Sequence, residues 1–510
     1  MQIPDRKKLE QECNQRIEQL RNLKRGKHLH IIGICGTGTT QVATLLKQLG
    51  FKVTGSDKAF YPPMGDIVKS IVDKVFEGYL KENLNSKPDF IIVGNSIRAD
   101  NPEVVCMLEN NIPFASMPEA LSAFLIGDRQ ECKTSVVVAG THGKTTTSCA
   151  IAEVLTSTKK EPGFFIGGAP IALSAGIELA GKKLAPNDKV VVLEGDEYDS
   201  AFFAKWPKFH SYRPDILVIT SIDFDHGDIY ESIEEIQNEF FELAKRVPKD
   251  GIVLIADTDK SLKELGLSWQ ASQSVSANIV FYGHDKNSEF HITNRKVFSD
   301  FQEIQISDTA NNNHLKFTTH LIGEHNALNL TATAAVCLTL GIDEQKVANA
   351  LTNVRGVRRR QQIIANKNNI IVIEDFAHHP QEVKATLMGI KERYPSNRIV
   401  AVFEPRSNTS KRAYFQDSYA SSFFSANLVL LKNVLDASGY SNTNQTIEKL
   451  NVHAIANEIK KHNIIVNVFD YTSDIITHLQ SSLKDGDVIV IMSNGDFDGL
   501  PAKVASIVNE

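Results

Sequence analysis

The run Val136-Val137-Val138-Ala139-Gly140-Thr141-His142-Gly143-Lys144-Thr145-Thr146 constrains this chain more than any other segment. An apolar strand feeds a short glycine loop, which passes through Lys-Thr-Thr into a helix-like stretch, Ser148 to Leu155. Backbone N–H groups in such a loop can cradle phosphates, and the helix dipole adds positive potential. A lysine then reaches the outer phosphates and a hydroxyl ligates Mg2+. The fit to the general phosphate loop is partial, because Val138 stands five residues before Gly143 in place of a glycine.

A chain of 510 residues suits about three domains of roughly 150 residues each. Apolar residues make up 42% and charged residues 23%, as in ordinary globular proteins. The net charge of −6 argues against a nucleic-acid binder, which would carry a basic face. The cysteines (Cys13, Cys35, Cys106, Cys132, Cys149, Cys337) form no CxxC pair and no cluster with histidine. Free thiols in a reducing cytoplasm are expected, without a zinc site. No stretch is long and apolar enough to span a bilayer, so no membrane partner is expected. Residues 1–26 are polar and charged, unlike a secretory signal. Ile17 and Leu20 allow an amphipathic helix there, packed on the first domain or on a partner.

Three nucleotide-fold-like blocks follow. In the first, His28-Leu29-His30-Ile31-Ile32 leads into Gly33-Ile34-Cys35-Gly36-Thr37-Gly38 and a helix pattern to Leu49. Gly50 to Asp57 is a second strand ending in an acid, about where a ribose-binding carboxylate would sit. The glycine fingerprint is imperfect, and the same loop physics serves any diphosphate, including a nucleotide sugar. The strand Phe90 to Val93 ends in Gly94-Asn95-Ser96-Ile97, polar groups at a strand's carboxyl end.

In the second block, Val190 to Leu193 runs into Glu194-Gly195-Asp196-Glu197-Tyr198-Asp199. Ile216 to Thr220 runs into Ser221-Ile222-Asp223-Phe224-Asp225-His226. Two acidic stretches that each follow a buried strand, as the phosphate loop does, favour a Mg2+–phosphate site over solvated loops. The third block follows the basic run Arg355 to Arg360. Ile370 to Ile373 leads into Glu374-Asp375-Phe376-Ala377-His378-His379-Pro380. Ile399 to Phe403 leads into Glu404-Pro405-Arg406-Ser407-Asn408-Thr409, and Val488 to Ile491 into Met492-Ser493-Asn494-Gly495. His378 and His379 are read as a helix start rather than a metal site, since adjacent helical residues point about 100° apart. No fixed-period repeat is visible.

The chain resembles the Mur ligases, ATP-dependent amide-forming enzymes of peptidoglycan synthesis, from Lys27 to its end. Gly140 to Thr146 matches their shortened phosphate loop. Glu194 to Asp199, Asp225-His226, Gly323-Glu324-His325-Asn326 with Asn329, Arg360 and Asp375 fall where the family's other motifs fall. Two members start from UDP-N-acetylmuramate, one adding L-alanine and one adding a murein tripeptide in cell-wall recycling. Tyr61-Pro62-Pro63-Met64, Gly94-Asn95-Ser96, Asp196-Glu197-Tyr198-Asp199, Phe376 to Pro380, Glu404 to Thr409 and Met492 to Gly495 are similar to the tripeptide-adding member, with the alanine-adding one as the alternative. The segment before Lys27 lies outside the family pattern. Some members carry a carbamoylated lysine about fifteen positions after the histidine matching His226; Phe241 stands there and Lys245 is offset, so no carbamate is expected.

The resemblance implies an α/β fold of three domains. These are a Rossmann-like UDP-sugar domain at 27–132, a central phosphate-loop ATPase-type domain at 133–354 and a Rossmann-like domain at 355–510 that closes on ATP. It implies ATP and Mg2+ as cofactors, UDP-N-acetylmuramate and tripeptide as substrates, and a cytoplasmic monomer or homodimer. Lys144, Glu194 and His226 would be catalytic, with Thr145, Glu194 and His226 as Mg2+ ligands. Gly140, Thr141, His142, Gly143, Lys144, Thr145, Thr146, Asn326, Asn329, Arg360 and Asp375 would bind ATP. Gly36, Thr37, Gly38, Ser56, Asp57, Asn95 and Ser96 would hold the UDP-sugar, and Arg406, Ser407 and Asn408 the peptide. A nicotinamide-dependent dehydrogenase would rest on Gly33 to Gly38 alone and leave Lys144-Thr145 unexplained. A non-catalytic nucleotide sensor would keep Mg-ATP binding without an amide product.

Overall fold

The computed structural model describes residues 5–61, 64–128, 134–181, 183–185, 188–225, 227, 229–407, 410–435 and 448–509. Three α/β units are built on three large sheets, and a two-stranded hairpin pairs Asp199–Ala201 with Ala204–Pro207. The first sheet is wholly parallel, in the order Lys74–Glu77, Lys52–Asp57, His28–Ile32, Phe90–Val93, Phe114–Ser116. The order reverses beside His28–Ile32, and in open α/β sheets ligands bind at such a switch point, beyond the strands' carboxyl ends.

The second sheet has ten strands. At its centre Thr134–Ala139 lies between Val190–Gly195 and Ile216–Ile219, all parallel. Val136, Val137 and Val138 have no exposed surface, which is why the sequence reads as an unbroken apolar run rather than an alternation. One edge is an antiparallel meander of Phe290–Val297, Gln302–Asp308 and Asn313–Thr319. The third sheet runs Gln362–Lys367, Ile370–Asp375, Asp487–Met492, Arg398–Phe403, Leu428–Lys432, Ile465–Phe469, antiparallel only at its first pair.

The helix after the phosphate loop begins at Lys144, four residues before the sequence reading placed it, and ends at Ser157. Gly143 makes this possible. It takes a left-handed conformation at φ +85° and turns the chain straight into the helix. No side chain caps that N-terminus. Its first N–H groups are left for a ligand. Strands also run two residues further than expected, so Glu194 and Asp375 sit inside strand ends rather than in loops.

The N-terminal segment forms the helix Arg6–Arg21, with Cys13, Ile17 and Leu20 buried at 4- and 3-residue spacing. It packs on both of the first two domains. Arg16 pairs with Glu119 at 2.8 Å and lies over the Phe203 ring, and Arg21 donates to the Gly127 carbonyl at 2.7 Å. Arg6 reaches Glu239 at 2.6 Å, and Cys13 lies 3.6 Å from the Ser211 hydroxyl. One continuous apolar core therefore runs from this helix through the first and second sheets, whereas the third sheet has cores of its own on its two faces. The third domain meets the second largely through polar ties, such as Arg295–Glu392 and Gln381–Asp223.

Glu119 has no exposed side-chain surface, so removing its cationic partner leaves a buried charge unpaired. Arg16→Met should lower stability by about 3 kcal/mol. A urea titration of the first unfolding transition checks this, with ADP binding expected to persist.

Candidate active site

The phosphate loop is held open by its neighbour strand's exit. Thr141 accepts from the Asp223 N–H at 2.9 Å, and the His142 N–H donates to the Ser221 hydroxyl at 2.9 Å. A Cβ at Gly140, where φ is +137°, would overlap the Thr220 hydroxyl, and one at Gly143 would stand 2.6 Å from Asn329 Oδ1. Lys144 folds back along the loop, donating to the Gly140 carbonyl at 2.5 Å and to Glu197 at 2.8 Å. Burial opposes its charge, but Glu197 and Asp196 outweigh that and hold its pKa above the ordinary lysine value. The Thr145 hydroxyl donates to Glu194 at 2.8 Å, and the other oxygen of Glu194 accepts from the Gly167 N–H at 2.6 Å. Burial pushes the Glu194 carboxyl up. Thr145 and Glu194 thus present adjacent hard oxygens, the donor type Mg2+ takes. Among the described residues no group of three or more His, Cys, Asp or Glu could hold a metal. His226 lies outside the described residues.

A cleft opens between the phosphate loop and the third domain. His142, Gly143, Thr146, Asn326 and Asn329 line one side, and Arg360 and Asp375 the other. Asn326 and Asn329 lie in the helix Glu324–Thr339, one turn apart and hydrogen-bonded to each other at 3.4 Å. Asp375 is buried and accepts from the Gln361 and Ala377 N–H groups, both at 2.7 Å. Its carboxylate therefore shapes the loop that carries Arg360.

Glu382, which no sequence motif marks, joins the two domains. Its carboxylate lies 3.4 Å from His142 of the phosphate loop, 3.5 Å from Arg360 and 3.3 Å from His378. Burial opposes its ionisation, but the bonds from His142 and His378 hold its pKa well below the usual range. His379 caps the helix Pro380–Arg393 and packs its ring 4.7 Å from that of His142. The pair His378-His379 serves as a helix start at a domain contact.

A second cleft follows the carboxyl edge of the first sheet. Gly36, Thr37, Gly38, Asp57, Asn95 and Ser96 line it. Ser56 does not: its side chain is fully buried and donates to Glu103 at 2.7 Å, alternating along the strand with its neighbour Asp57, which lines the cleft. Asp57 accepts from the Cys35 N–H at 2.7 Å and so braces the glycine loop. The far end of this cleft is formed by the second domain, through Gly167, Glu194, Asp196, Lys208 and Tyr212. Lys208 and Tyr212 follow a hairpin and carry no motif, so sequence reading had no signal for them. Phe241 packs against Trp269 with the rings tilted, and Lys245 pairs with Glu242 at 2.6 Å; none of these residues lines either cleft. Arg406 pairs with Asp496 at 2.5 Å inside the third domain, and Ser407 bonds Ser410. Asn408 lies outside the described residues.

A phosphate loop closed by a third α/β domain, with a glycine-loop cleft alongside, defines an ATP-dependent ligase that forms amide bonds. The chain belongs to the Mur ligase family. Residues 28–129 match the family's catalytic domain, 138–337 the Mur ligase middle domain and 359–495 the glutamate ligase domain. The UDP-N-acetylmuramate–L-alanyl-γ-D-glutamyl-meso-2,6-diaminoheptandioate ligase of Escherichia coli is 33% identical, over 93% of this chain and 97% of its own length. The UDP-N-acetylmuramate–L-alanine ligase of Clostridium tetani is 30% identical over 93% and 97%. A crystal structure of a murein peptide ligase from Psychrobacter arcticus matches with a TM-score of 0.70 and 30% identity, covering 95% of this chain and 99% of that one.

Burial, aided by Arg360, pushes His325 down to about 4. Burial, aided by His142, pushes His379 down to about 3. Both are neutral in the fold but titrate near 6.5 once unfolded, so unfolding takes up protons below about pH 6.5. Stability should therefore fall as pH drops from about 6.5 towards 4. His379→Asn keeps a capping side chain and should flatten that slope, read from urea midpoints at pH 7 and pH 5.

Proposed function

We propose that this protein joins the tripeptide L-Ala-γ-D-Glu-meso-diaminopimelate to UDP-N-acetylmuramate, using ATP and Mg2+, in cytoplasmic recycling of cell-wall peptides. One observation carries the reading. Glu194 lines the glycine-loop cleft, and its carboxylate holds Thr145, two residues beyond Gly143 in the nucleotide cleft. A carboxylate bound in one cleft therefore meets the outer phosphate bound in the other. The 33% identity to the tripeptide ligase over nearly the whole chain supports the choice of substrates.

In this reading the lactyl carboxylate oxygen attacks the γ-phosphorus, and the bond to the β-bridging oxygen breaks, releasing ADP. The peptide amine then attacks the acyl carbon and loses a proton, and the acyl C–O bond breaks to release phosphate. Phosphorylation is needed because a carboxylate is a poor electrophile. Bound Mg2+ would neutralise charge that otherwise sets two anions against each other. Thr145 and Glu194 would hold it, with His226 at a second metal. Lys144 leaves Glu197 for the outer phosphates. Asn326 and Asn329 face the adenine side, Arg360 and Asp375 approach from the third domain, and Glu382 ties closure to the phosphate loop. The loop Gly36 to Gly38 takes the UDP diphosphate, with Asp57, Asn95 and Ser96 around it. Arg406, Ser407 and Asn408 are the proposed peptide contacts, which requires Arg406 to exchange Asp496 for a substrate carboxylate.

Addition of L-alanine alone is the second reading, favoured by the Clostridium tetani relative. Purified protein is incubated with UDP-N-acetylmuramate, ATP, Mg2+ and either tripeptide or L-alanine, following ADP and the amide product. Tripeptide-dependent turnover is expected; turnover with alanine alone selects the second reading, and ATP hydrolysis without amide under every condition ends both. Lys144→Ala should lower kcat by about 10³-fold while UDP-N-acetylmuramate binding survives.

A further inference from the structure

The glycine-loop cleft is lined by carboxylates at its inner end, Glu194 and Asp196, beside the phosphate loop. An anion entering there meets repulsion from both, and from a bound triphosphate. Among the described residues lining the cleft, the cations are Lys58 and Lys208. Lys58 is exposed and follows Asp57, at the outer, glycine-loop end. Lys208 is at the inner end, with only 13% of its side chain exposed and its Nζ 2.5 Å from Asp196 Oδ2. Lys144 does not line this cleft; it is held beside the phosphate loop by the loop carbonyls and Glu197.

The backbone under Lys208 is fixed from several directions. Its N–H donates to the Tyr198 carbonyl at 3.0 Å, and the short 3-10 helix Lys208–Ser211 follows. Arg246 donates to the His210 carbonyl at 2.7 Å, and the His210 ring meets Glu239 at 2.5 Å. Cys13 of the N-terminal helix lies against Ser211. This base aims the lysine, and among the described residues its ammonium pairs with one carboxylate, Asp196, which is itself 34% exposed. A lysine held in this way can trade Asp196 for a substrate carboxylate at little desolvation cost.

We infer that Lys208 receives the reacting carboxylate of the nucleotide sugar and orients it toward the phosphate held at Thr145 and Glu194. This deepens the function proposed above and rests on it. The residue then distinguishes a sugar bearing an acidic ether side arm from the same sugar without one. UDP-N-acetylglucosamine carries the nucleotide and the N-acetylated sugar of UDP-N-acetylmuramate without the lactyl arm, and UDP carries the nucleotide alone, so the three ligands separate the carboxylate contact from the sugar and diphosphate contacts.

Titration calorimetry of the three ligands against the intact protein, Lys208→Met and Lys208→Arg tests this. The unaltered protein should prefer UDP-N-acetylmuramate. Lys208→Met should lose about 10- to 100-fold in affinity for that ligand alone, the size of a lost hydrogen bond to a charged group. Lys208→Arg should retain most of the preference, and KM for ATP should not move in either variant. Unchanged preference in Lys208→Met overturns the inference and leaves the proposed function standing. Equal weakening of all three ligands also overturns it, by assigning Lys208 to the diphosphate or to the shape of the cleft. If the unaltered protein shows no preference for the acidic sugar, the proposed function fails and this inference with it.

Discussion

Everything at the centre of this molecule depends on the chain turning from the strand Thr134–Ala139 into the helix Lys144–Ser157 within four residues. Only glycine accommodates the backbone at 140 and 143, where a Cβ would strike Thr220 or Asn329. That turn leaves the helix N-terminus without a side-chain cap. It also places Lys144 against Glu197, just beyond the adjacent strand, and Thr145 against Glu194 at that strand's end. The short spacing forces cation, hydroxyl and carboxylates into one compact cluster, which is where two anionic substrates would have to meet.

The surrounding architecture divides rigidity from motion. The first two domains share a continuous apolar core, reinforced by the helix Arg6–Arg21 that grips both. Apolar burial of that kind gives a fixed relation between the glycine-loop cleft and the phosphate loop. The third domain has separate cores and reaches the phosphate loop through charged and aromatic contacts, among them Glu382 with His142. Such contacts can open and reform at modest cost, as the proposed closure over a nucleotide would require.

Acid–base balance at the closure contact follows the same division. Glu382 stays ionised because His142, His378 and Arg360 converge on it. His325 and His379, buried beside it, stay neutral. One carboxylate thus organises groups from two domains, and the neutral histidines beside it fill space without adding charge to the cleft next to the phosphate loop.

The sequence by itself determined the three α/β blocks, the phosphate loop and the polar strand ends, because these are local. A continuous apolar run, a glycine turn and an acid after a strand each have their physical meaning within about ten residues. Helix and strand ends were less legible: Gly143 starts the helix early, and Glu194 and Asp375 belong to strands, since hydrogen bonding to neighbouring strands sets those limits. Only the tertiary structure decided which side chains share a cleft. It turned Ser56 into the core toward Glu103 and brought Asn326 and Asn329 within reach of the phosphate loop. It set Glu382 across a domain boundary from His142 and delivered Lys208 to the cleft that ends at Glu194. Their separations along the chain carry no periodic or motif signal, and proximity of that kind exists only once the sheets have packed.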